Sequence, residues 1–300
     1  MQNFRVTVVV LTYNHEKYIR EAIQSILNQK TNFDVKIIAS NDGSTDGTLP
    51  ILKELKNKHP EEITLISREQ NIGIRKSIPN LVDQVEGDYL AILDGDDYWS
   101  YENKLQEQVH FLDNNPSFNG VFHDALIKQV DTSGKILYGG KKMYSQSYVF
   151  PEEITASDII ERNIILPSSS AVIRLAAINT GEWNLIRDDY SFLWKLTLFA
   201  IKNSKYKFIN EPWSVYRNHK GGISKRDFSS FYLDHIVFLK SLLIDEYFKF
   251  HKKSIYAAMA LQYYFLFNQE KNPRKKALFF RKYFVCLIKK MLQEKRELKQ

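Results

Sequence analysis

Four short runs of β-branched and aliphatic residues in the first hundred positions, separated by helical spacing, narrow the fold more than any other feature. Val6–Leu11, Val35–Ser40, Ile63–Ser67 and Tyr89–Leu93 contain one charge between them, Lys36, as expected of strands covered on both faces. Between the first two runs, Ile19, Ala22, Ile23, Ile26 and Leu27 recur at the i, i+3, i+4, i+7 and i+8 spacing of an amphipathic helix. Ser44, Thr45 and Asp46 offer N-caps for a second helix through Leu55. Ile78, Leu81, Val82 and Val85 mark a third, closed by Gly87. Such alternation predicts a doubly wound, mostly parallel α/β sheet with ligands at the carboxyl ends of its strands.

Beyond residue 100 the pattern changes. A helix over Lys104–Asp113 runs into Asn115-Pro116, followed by short strands and a turn at Asp131–Gly134. Gly139-Gly140-Lys141-Lys142 reads as a polar loop. A strongly apolar helix over Tyr190–Ile201 precedes a strand and the segment Trp213–His219, and from about Asp227 the chain is helical, aromatic and basic. The expected organisation is an α/β domain over residues 1–225 and a helical C-terminal region over 226–300.

The charge follows this division. The net charge is +7, but residues 223–300 hold 17 Lys and Arg against 7 Asp and Glu, while residues 1–222 hold 25 against 28. Basicity therefore belongs to the C-terminal segment and argues against a nucleic-acid-binding role for the α/β part. The single cysteine, Cys286, excludes an internal disulfide and a cysteine zinc cluster, which fits a reducing compartment. The apolar run at Val6 is too short for a signal peptide, and the uncharged stretch Ser254–Asn268 is too short to span a bilayer. A cytoplasmic protein is expected. Over Pro273–Gln300, ten Lys and Arg and two Glu interleave with Leu278, Phe279, Phe280, Tyr283, Phe284, Leu287, Ile288, Met291 and Leu292. A helix of this kind can lie peripherally on an anionic membrane, or pack its apolar face on the catalytic domain or a second subunit.

Two motifs carry chemistry. Tyr89-Leu-Ala-Ile-Leu-Asp94-Gly95-Asp96-Asp97 ends a buried strand in three carboxylates, and positions i and i+2 point the same way, so Asp94 and Asp96 can meet one ligand. Hard oxygen donors there suit Mg²⁺ or Mn²⁺ bridging a diphosphate, and the same residues also fit a solvated turn. Asn41-Asp42-Gly43-Ser44-Thr45-Asp46 follows the second strand. Asp42 can accept a bond from a base N–H, or act as an Asx-turn residue leading into a helix.

Leu11-Thr12-Tyr13-Asn14, the Asn41–Asp46 box, Asn71-Ile-Gly73 and Leu93-Asp-Gly-Asp-Asp97 occur in the order and spacing of family-two glycosyltransferases. The sequence resembles a bacterial branch of that family through Gly95-Asp-Asp-Tyr-Trp99, Lys104-Leu-Gln-Glu-Gln108 and Asn115-Pro116. The resemblance is strong over residues 4–125, recognisable to Ser224 and absent afterwards. It implies an inverting, metal-dependent enzyme of GT-A fold, with a nucleotide-sugar half over 1–100 and an acceptor half over 101–225. By position, Leu11, Thr12, Tyr13, Asn14 and Asp42 would surround the nucleotide, and Asn71, Gly73, Arg75 and Lys76 would line the diphosphate approach. Asp94, Gly95 and Asp96 would form the ribose and metal site, with Asp96, Asp94 and His219 as metal ligands and Arg217 on phosphate. Asp188-Asp189-Tyr190 matches the family's Glu-Asp pair, making Asp189 the general base with Asp188 beside it; carboxylates also simply favour a helix's first turn. Leu11, Asn41 and Ile78-Pro79 depart from the family's frequent Pro, Asp and Arg-Asn.

The resemblance implies a UDP-sugar donor, hexosyl or N-acetylhexosaminyl transfer, and a glycan or lipid-linked acceptor in bacterial surface polysaccharide synthesis. Self-association stays open. A sugar-phosphate nucleotidyltransferase shares such a sheet but carries a Gly-rich phosphate loop after its first strand, where this chain has Thr12-Tyr-Asn-His-Glu-Lys-Tyr18. A basic membrane or nucleic-acid module would leave the N-terminal motifs unexplained. No Gly-x-Gly-x-x-Gly follows a strand, which disfavours a dinucleotide oxidoreductase.

Overall fold

The computed structural model describes residues 4–73, 81, 84–131, 133, 135–143, 149–162, 168–178, 192–219 and 229–298. Strand β1 (Phe4–Thr12) lies between β2 (Asp34–Asp42) and β4 (Tyr89–Asp94), both parallel to it, and β3 (Ile63–Arg68) extends the sheet beyond β2. Val6, Val8 and Val10 face Ile19, Ala22, Ile23 and Ile26 of helix α1 (Ile19–Leu27), while Val9 faces the opposite core with Ile38, Leu90 and Ile92. A strand packed on both faces must be apolar on both, which explains an uninterrupted run in place of alternation. Each such side chain contributes about 1.5–3 kcal/mol by leaving water.

Of the three candidate caps for α2 (Thr48–Lys58), Asp46 makes the contact: its Oδ1 accepts from the Thr48 N–H (3.0 Å) and the Thr48 hydroxyl (2.6 Å). The third expected helix falls largely on residues 74–80 and 82–83, outside the described residues, although Leu81 is buried as its pattern requires. Gly87 turns at φ +93°, and a Cβ there would sit 2.6 Å from the Phe4 carbonyl oxygen, so only glycine lets the chain pass under β1.

After β4 the chain reverses into β5 (Tyr98–Trp99), which pairs antiparallel with β10 (Lys205–Asn218) at Ser214 and Val215. The sheet order is β3-β2-β1-β4-β9-β6-β10-β5, where β9 is Val172–Arg174 and β6 is Phe118–Val130. Two antiparallel steps, β4 to β9 and β9 to β6, restore direction, and β10 runs parallel to β6. The carboxyl ends of β1, β2, β4 and β10 therefore open on one edge.

Helix α3 (Lys104–Asn114) covers the α1 side of the sheet. At residues 139–142 the structure has strand, not loop: β7 (Ile136–Met143) pairs antiparallel with β6. The ladder on β6 satisfies a backbone that Gly and Lys alone would leave irregular, and both residues are tolerated on a strand with one partner. Asp131 forms the intervening turn, its Oδ1 accepting from Ser133 N (2.8 Å) and Lys135 N (2.9 Å). β8 (Glu153–Ile154) pairs with β10 and leads into α4 (Ala156–Glu161).

Helices α5 (Phe192–Ala200), α6 (Ser229–Leu242), α7 (Lys252–Gln269) and α8 (Pro273–Glu297) complete the described chain. Ile236, Leu239, Ile255 and Ala258 belong to the same buried cluster as Ile92 and Phe122, so the C-terminal helices share the sheet's core. The last begins with Asn272 accepting from Arg274 N (3.0 Å) and with Pro273 at the first helical position. Among the described residues no helix is long and apolar enough to cross a membrane.

Candidate active site

Two loops at this edge are laced together by side chains. Asn14, at φ +57°, accepts from Thr45 N through its Oδ1 (2.8 Å), and its own N–H donates to the Ser44 hydroxyl (3.0 Å). His15 N donates to Thr48 Oγ1 (2.8 Å), Glu16 N to Asp46 Oδ2 (3.1 Å), and Gly47 N back to Glu16 Oε2 (2.7 Å). Asp42 is buried, and its two oxygens accept from Ile72 N (3.2 Å) and Gly73 N (2.9 Å). Gly43 stands at φ +68° with the Gln70 carbonyl carbon 2.3 Å from where a Cβ would be. The Asn41–Asp46 box thus holds the loop at 70–73 against the end of β2. Asn14 Oδ1 and the Asp42 carboxylate, at positions expected to touch the nucleotide, take part in loop construction; backbone N–H groups leaving the sheet need acceptors, and these supply them.

The acidic turn sits beside them. Gly95 N donates to the Leu11 carbonyl (2.8 Å), and a Cβ at Gly95 would lie 2.8 Å from His15 Nδ1 and 2.9 Å from Thr12 Cβ. Glycine between the two aspartates is what lets the turn close on β1. Asp94 accepts a short hydrogen bond from the Ser168 hydroxyl, on the 3₁₀ turn Ser168–Ser170. Asp96 Oδ2 accepts from His219 Nε2 (2.9 Å), and His15 Nε2 lies 3.7 Å from the same oxygen. The Tyr18 ring leans on the His219 ring, with centroids 5.2 Å apart.

Loss of water around the turn pushes the Asp94 carboxyl up to about 6, with the Asp96 charge adding to the rise and Ser168 opposing it. Asp97, fully buried, is pushed well above the ordinary range by burial and then by Asp96 and Asp94. For Asp96, burial pulls upward too, but the hydrogen bond from His219 and the neighbouring imidazoles outweigh it and leave the group lowered. Burial lowers His15.

Arg217 differs from its expected role. Its side chain is 6% exposed, and its guanidinium donates to the Asp96 carbonyl (2.7 Å) and, in a short ion pair, to Glu21 of α1. The same group lies 4.5 Å from the Tyr98 ring centroid and 5.1 Å from that of Tyr18, and Arg217 N donates to Asp97 Oδ1 (2.8 Å). A guanidinium so engaged clamps the acidic turn between β10 and α1, which leaves it poorly placed to receive a phosphate.

The structure thus brings Leu11, Thr12, Asn14, Asp94, Gly95, Asp96, Arg217 and His219 to one edge, with Tyr13 exposed at 38% beside them. Asn71 is exposed, and the space where a Cβ of Gly73 would stand is open. Arg75, Lys76, Asp188 and Asp189 lie outside the described residues. Sequence reasoning missed His15, Glu21 and Ser168. His15 could have been found from its place one residue after the Leu11–Asn14 motif, whereas Ser168 in a run of three serines gives no signal.

Three carboxylates within four residues, two of them pushed up in pKa by burial and then by the Asp96 charge, leave negative potential that a divalent cation relieves, so the donor set fits one. Among the described residues no three His, Cys, Asp or Glu side chains already surround a common point. A cation would compete with His219 for Asp96.

The profile of glycosyl transferase family 2 matches residues 7–159. A glycosyltransferase of Methanocaldococcus jannaschii is 31% identical over 235 residues, 76% of this chain and 77% of its own length. Relatives in Mycobacterium bovis and Mycobacterium tuberculosis are 29% identical over 73% of this chain, which spans only 60% of their length. A Bacillus subtilis protein named for teichuronic acid biosynthesis, TuaG, is 25% identical over 72% of this chain and 90% of its own. In fold, the chain is similar to S. aureus TarS residues 1–349 in complex with UDP-GlcNAc, with TM-score 0.67, 20% identity, and coverage of 93% of this chain and 79% of that one. It is also similar to the mannosyltransferase PcManGT from Pyrobaculum calidifontis in complex with GDP-Man and Mn²⁺, with TM-score 0.54, 15% identity, and coverage of 96% and 87%.

Proposed function

The chain belongs to glycosyl transferase family 2 and has a GT-A fold, and on that premise we propose that it moves a sugar, with inversion at the anomeric carbon, from a nucleoside-diphosphate donor to a hydroxyl of a glycan or lipid-linked acceptor. The observation that carries this reading is Asp94 and Asp96 at the edge where four parallel strands end, the side on which open α/β sheets take ligands. Mn²⁺ or Mg²⁺ bound there would offset the charge that builds on the departing nucleoside diphosphate. Asp96, Asp94 and His219 would hold it, with Ser168 orienting Asp94 and His15 flanking Asp96. Tyr13 offers an exposed ring for the base, and Gly73 with Asn71 leaves the diphosphate approach open. Asp189 is the proposed general base, taking the acceptor proton as that oxygen attacks; its role and those of Asp188, Arg75 and Lys76 rest on the sequence resemblance.

A UDP-sugar is the proposed donor, since TarS, alike in fold, is described with UDP-GlcNAc. Bacterial surface polysaccharide synthesis, at the cytoplasmic face of the membrane, is the proposed setting, by analogy with TuaG. A thermal-shift screen of UDP-GlcNAc, UDP-glucose and GDP-mannose with Mn²⁺ tests the donor, because a specific ligand stabilises the native state by RT ln(1 + [L]/Kd). Stabilisation by a UDP-sugar and an inverted product by NMR are expected. No response to any nucleotide sugar, or release of pyrophosphate in place of UDP, overturns the reading.

A further inference from the structure

Helix α8 carries two apolar stripes, and the fold covers one of them. Phe279, Tyr283 and Leu287 pack against the core, and Cys286 is the one buried residue among the 25 of the helix. Tyr283 meets Tyr264 of α7, with ring centroids 5.9 Å apart. On the adjoining arc, Phe280, Phe284, Ile288, Met291 and Leu292 succeed one another at steps of four, four, three and one, so they line one side of the helix. All five are between 45% and 56% exposed, and Phe280 at the edge also meets Phe267 of α7, with ring centroids 5.3 Å apart. Folded proteins scatter exposed apolar residues singly; a continuous row calls for a partner.

The charge on the same segment selects among partners. Pro273–Gln300 holds ten Lys and Arg against two Glu, and one of those, Glu294, lies 3.8 Å from both Lys253 and Lys290. At 100° per residue, Arg274, Arg281 and Lys295 share the arc of the uncovered stripe. A second copy applied symmetrically to this face would press like charges together. Nucleic acid would match the charge and leave the apolar row in water. An anionic bilayer takes both: apolar side chains enter between the headgroups, while arginine and lysine reach outward to phosphate.

We propose that this uncovered arc of α8 docks the protein on an anionic phospholipid surface. The membrane association expected from sequence thus acquires a specific face, which borders the stripe packed on α7 and meets that helix only at its Phe280 edge among the described residues. It bears on the proposed function, since a lipid-linked acceptor lies at such a surface, but it can be measured with no donor or acceptor present.

Purified full-length protein should co-sediment with phosphatidylglycerol–phosphatidylcholine vesicles and stay in solution with phosphatidylcholine alone. The double variant Ile288→Ser/Met291→Ser should lose partitioning by roughly tenfold or more, with an unchanged melting temperature because both side chains are already more than half exposed. Arg281→Gln/Lys295→Gln should lose on the order of fivefold per charge. A wild-type protein indifferent to anionic lipid, or a serine variant that binds as well as wild type, would overturn the proposal. So would a wild-type dimer split by the serine variant, which would assign the face to a second copy, or RNA competing the protein off the vesicles. Sugar transfer to a soluble acceptor should persist in both variants, so loss of docking and failure of the transfer reading are told apart.

Discussion

Replacing Arg217 with Lys keeps the positive charge and removes the planar fork that joins Asp96 to Glu21. In the native site one guanidinium nitrogen bonds the Asp96 carbonyl at 2.7 Å, another meets Glu21, and the plane lies 4.5 Å from the Tyr98 ring centroid. An ammonium on a shorter stem can keep one of these contacts. The Glu21 carboxylate is 55% exposed and stays hydrated when released, so that half of the loss is small. Loss of a charge-assisted bond to a buried carbonyl is worth about 1.5–3 kcal/mol, and the ring contact adds about 0.5–1 kcal/mol. Arg217→Lys should therefore cost about 2–4 kcal/mol, read as a lower urea midpoint at unchanged m-value and a melting temperature lower by roughly 4–8 °C. Donor affinity should also fall, because the turn carrying Asp96 is no longer fixed. If the urea midpoint and melting temperature hold while UDP affinity by calorimetry drops, the guanidinium reads phosphate and the clamp is refuted.

Asp96→Ala should abolish Mn²⁺-dependent stabilisation by a UDP-sugar while leaving the unliganded melting temperature close to wild type, which differential scanning fluorimetry can check. Asp189→Asn should lower turnover by roughly 10²–10⁴ with donor affinity near normal, as for a base that acts only in the transition state; near-normal turnover moves the base elsewhere. Asp94, at about 6 in the folded chain against 3.8 when unfolded, must give up its proton to hold a cation, so Mn²⁺ affinity by calorimetry should rise between about pH 5 and 7 and then level off. The same raised value means the folded state binds the proton more tightly, so without a cation stability falls as pH rises from 3.8 to about 6 and levels off above that. Lys104 is fully buried, its Nζ has no hydrogen-bond partner among the described residues, and that nitrogen lies 4.0 Å from the Trp99 ring centroid; burial pulls its pKa well down. Lys104→Met should stabilise the fold by about 1–3 kcal/mol in urea, and a loss of stability would mean the ring contact outweighs desolvation.

The first half of the fold was legible because its signals are local. Ile19–Leu27 forms a helix at the spacing read for it, and β1 to β4 contain the four apolar runs with one to three residues added at their ends. What the sequence hid depends on pairing across long separations. β7 exists because β6 offers a ladder, not because Gly139-Gly140-Lys141-Lys142 prefers strand. Ser168 reaches Asp94 across 74 residues, and Arg217 reaches Glu21 across 196. No spacing rule links such positions, so the sequence names the carboxylates of the turn without naming what holds them.

Asn14 and Asp42 show a second limit, one of chemistry more than distance. At the carboxyl end of a parallel sheet the chain leaves its ladder, and the freed N–H groups need acceptors in the same place where a ligand needs polar side chains. A short acid or amide there fits either need, and its motif looks the same in both cases. The structure separates them by the surroundings of each group. Both oxygens of Asp42 are taken by Ile72 and Gly73, and Asn14 Oδ1 is taken by Thr45. Asp94 and Asp96 instead crowd together, with Asp94 raised toward neutrality by lost hydration and its neighbour's charge. Asp94 and Asp96 have partners too, in Ser168 and His219, but Asp94 stays raised in spite of its own, whereas Asp42 meets two backbone N–H groups. On these grounds we propose the acidic turn at 94–97 as the ligand site, with the Asn41–Asp46 box shaping the loop beside it.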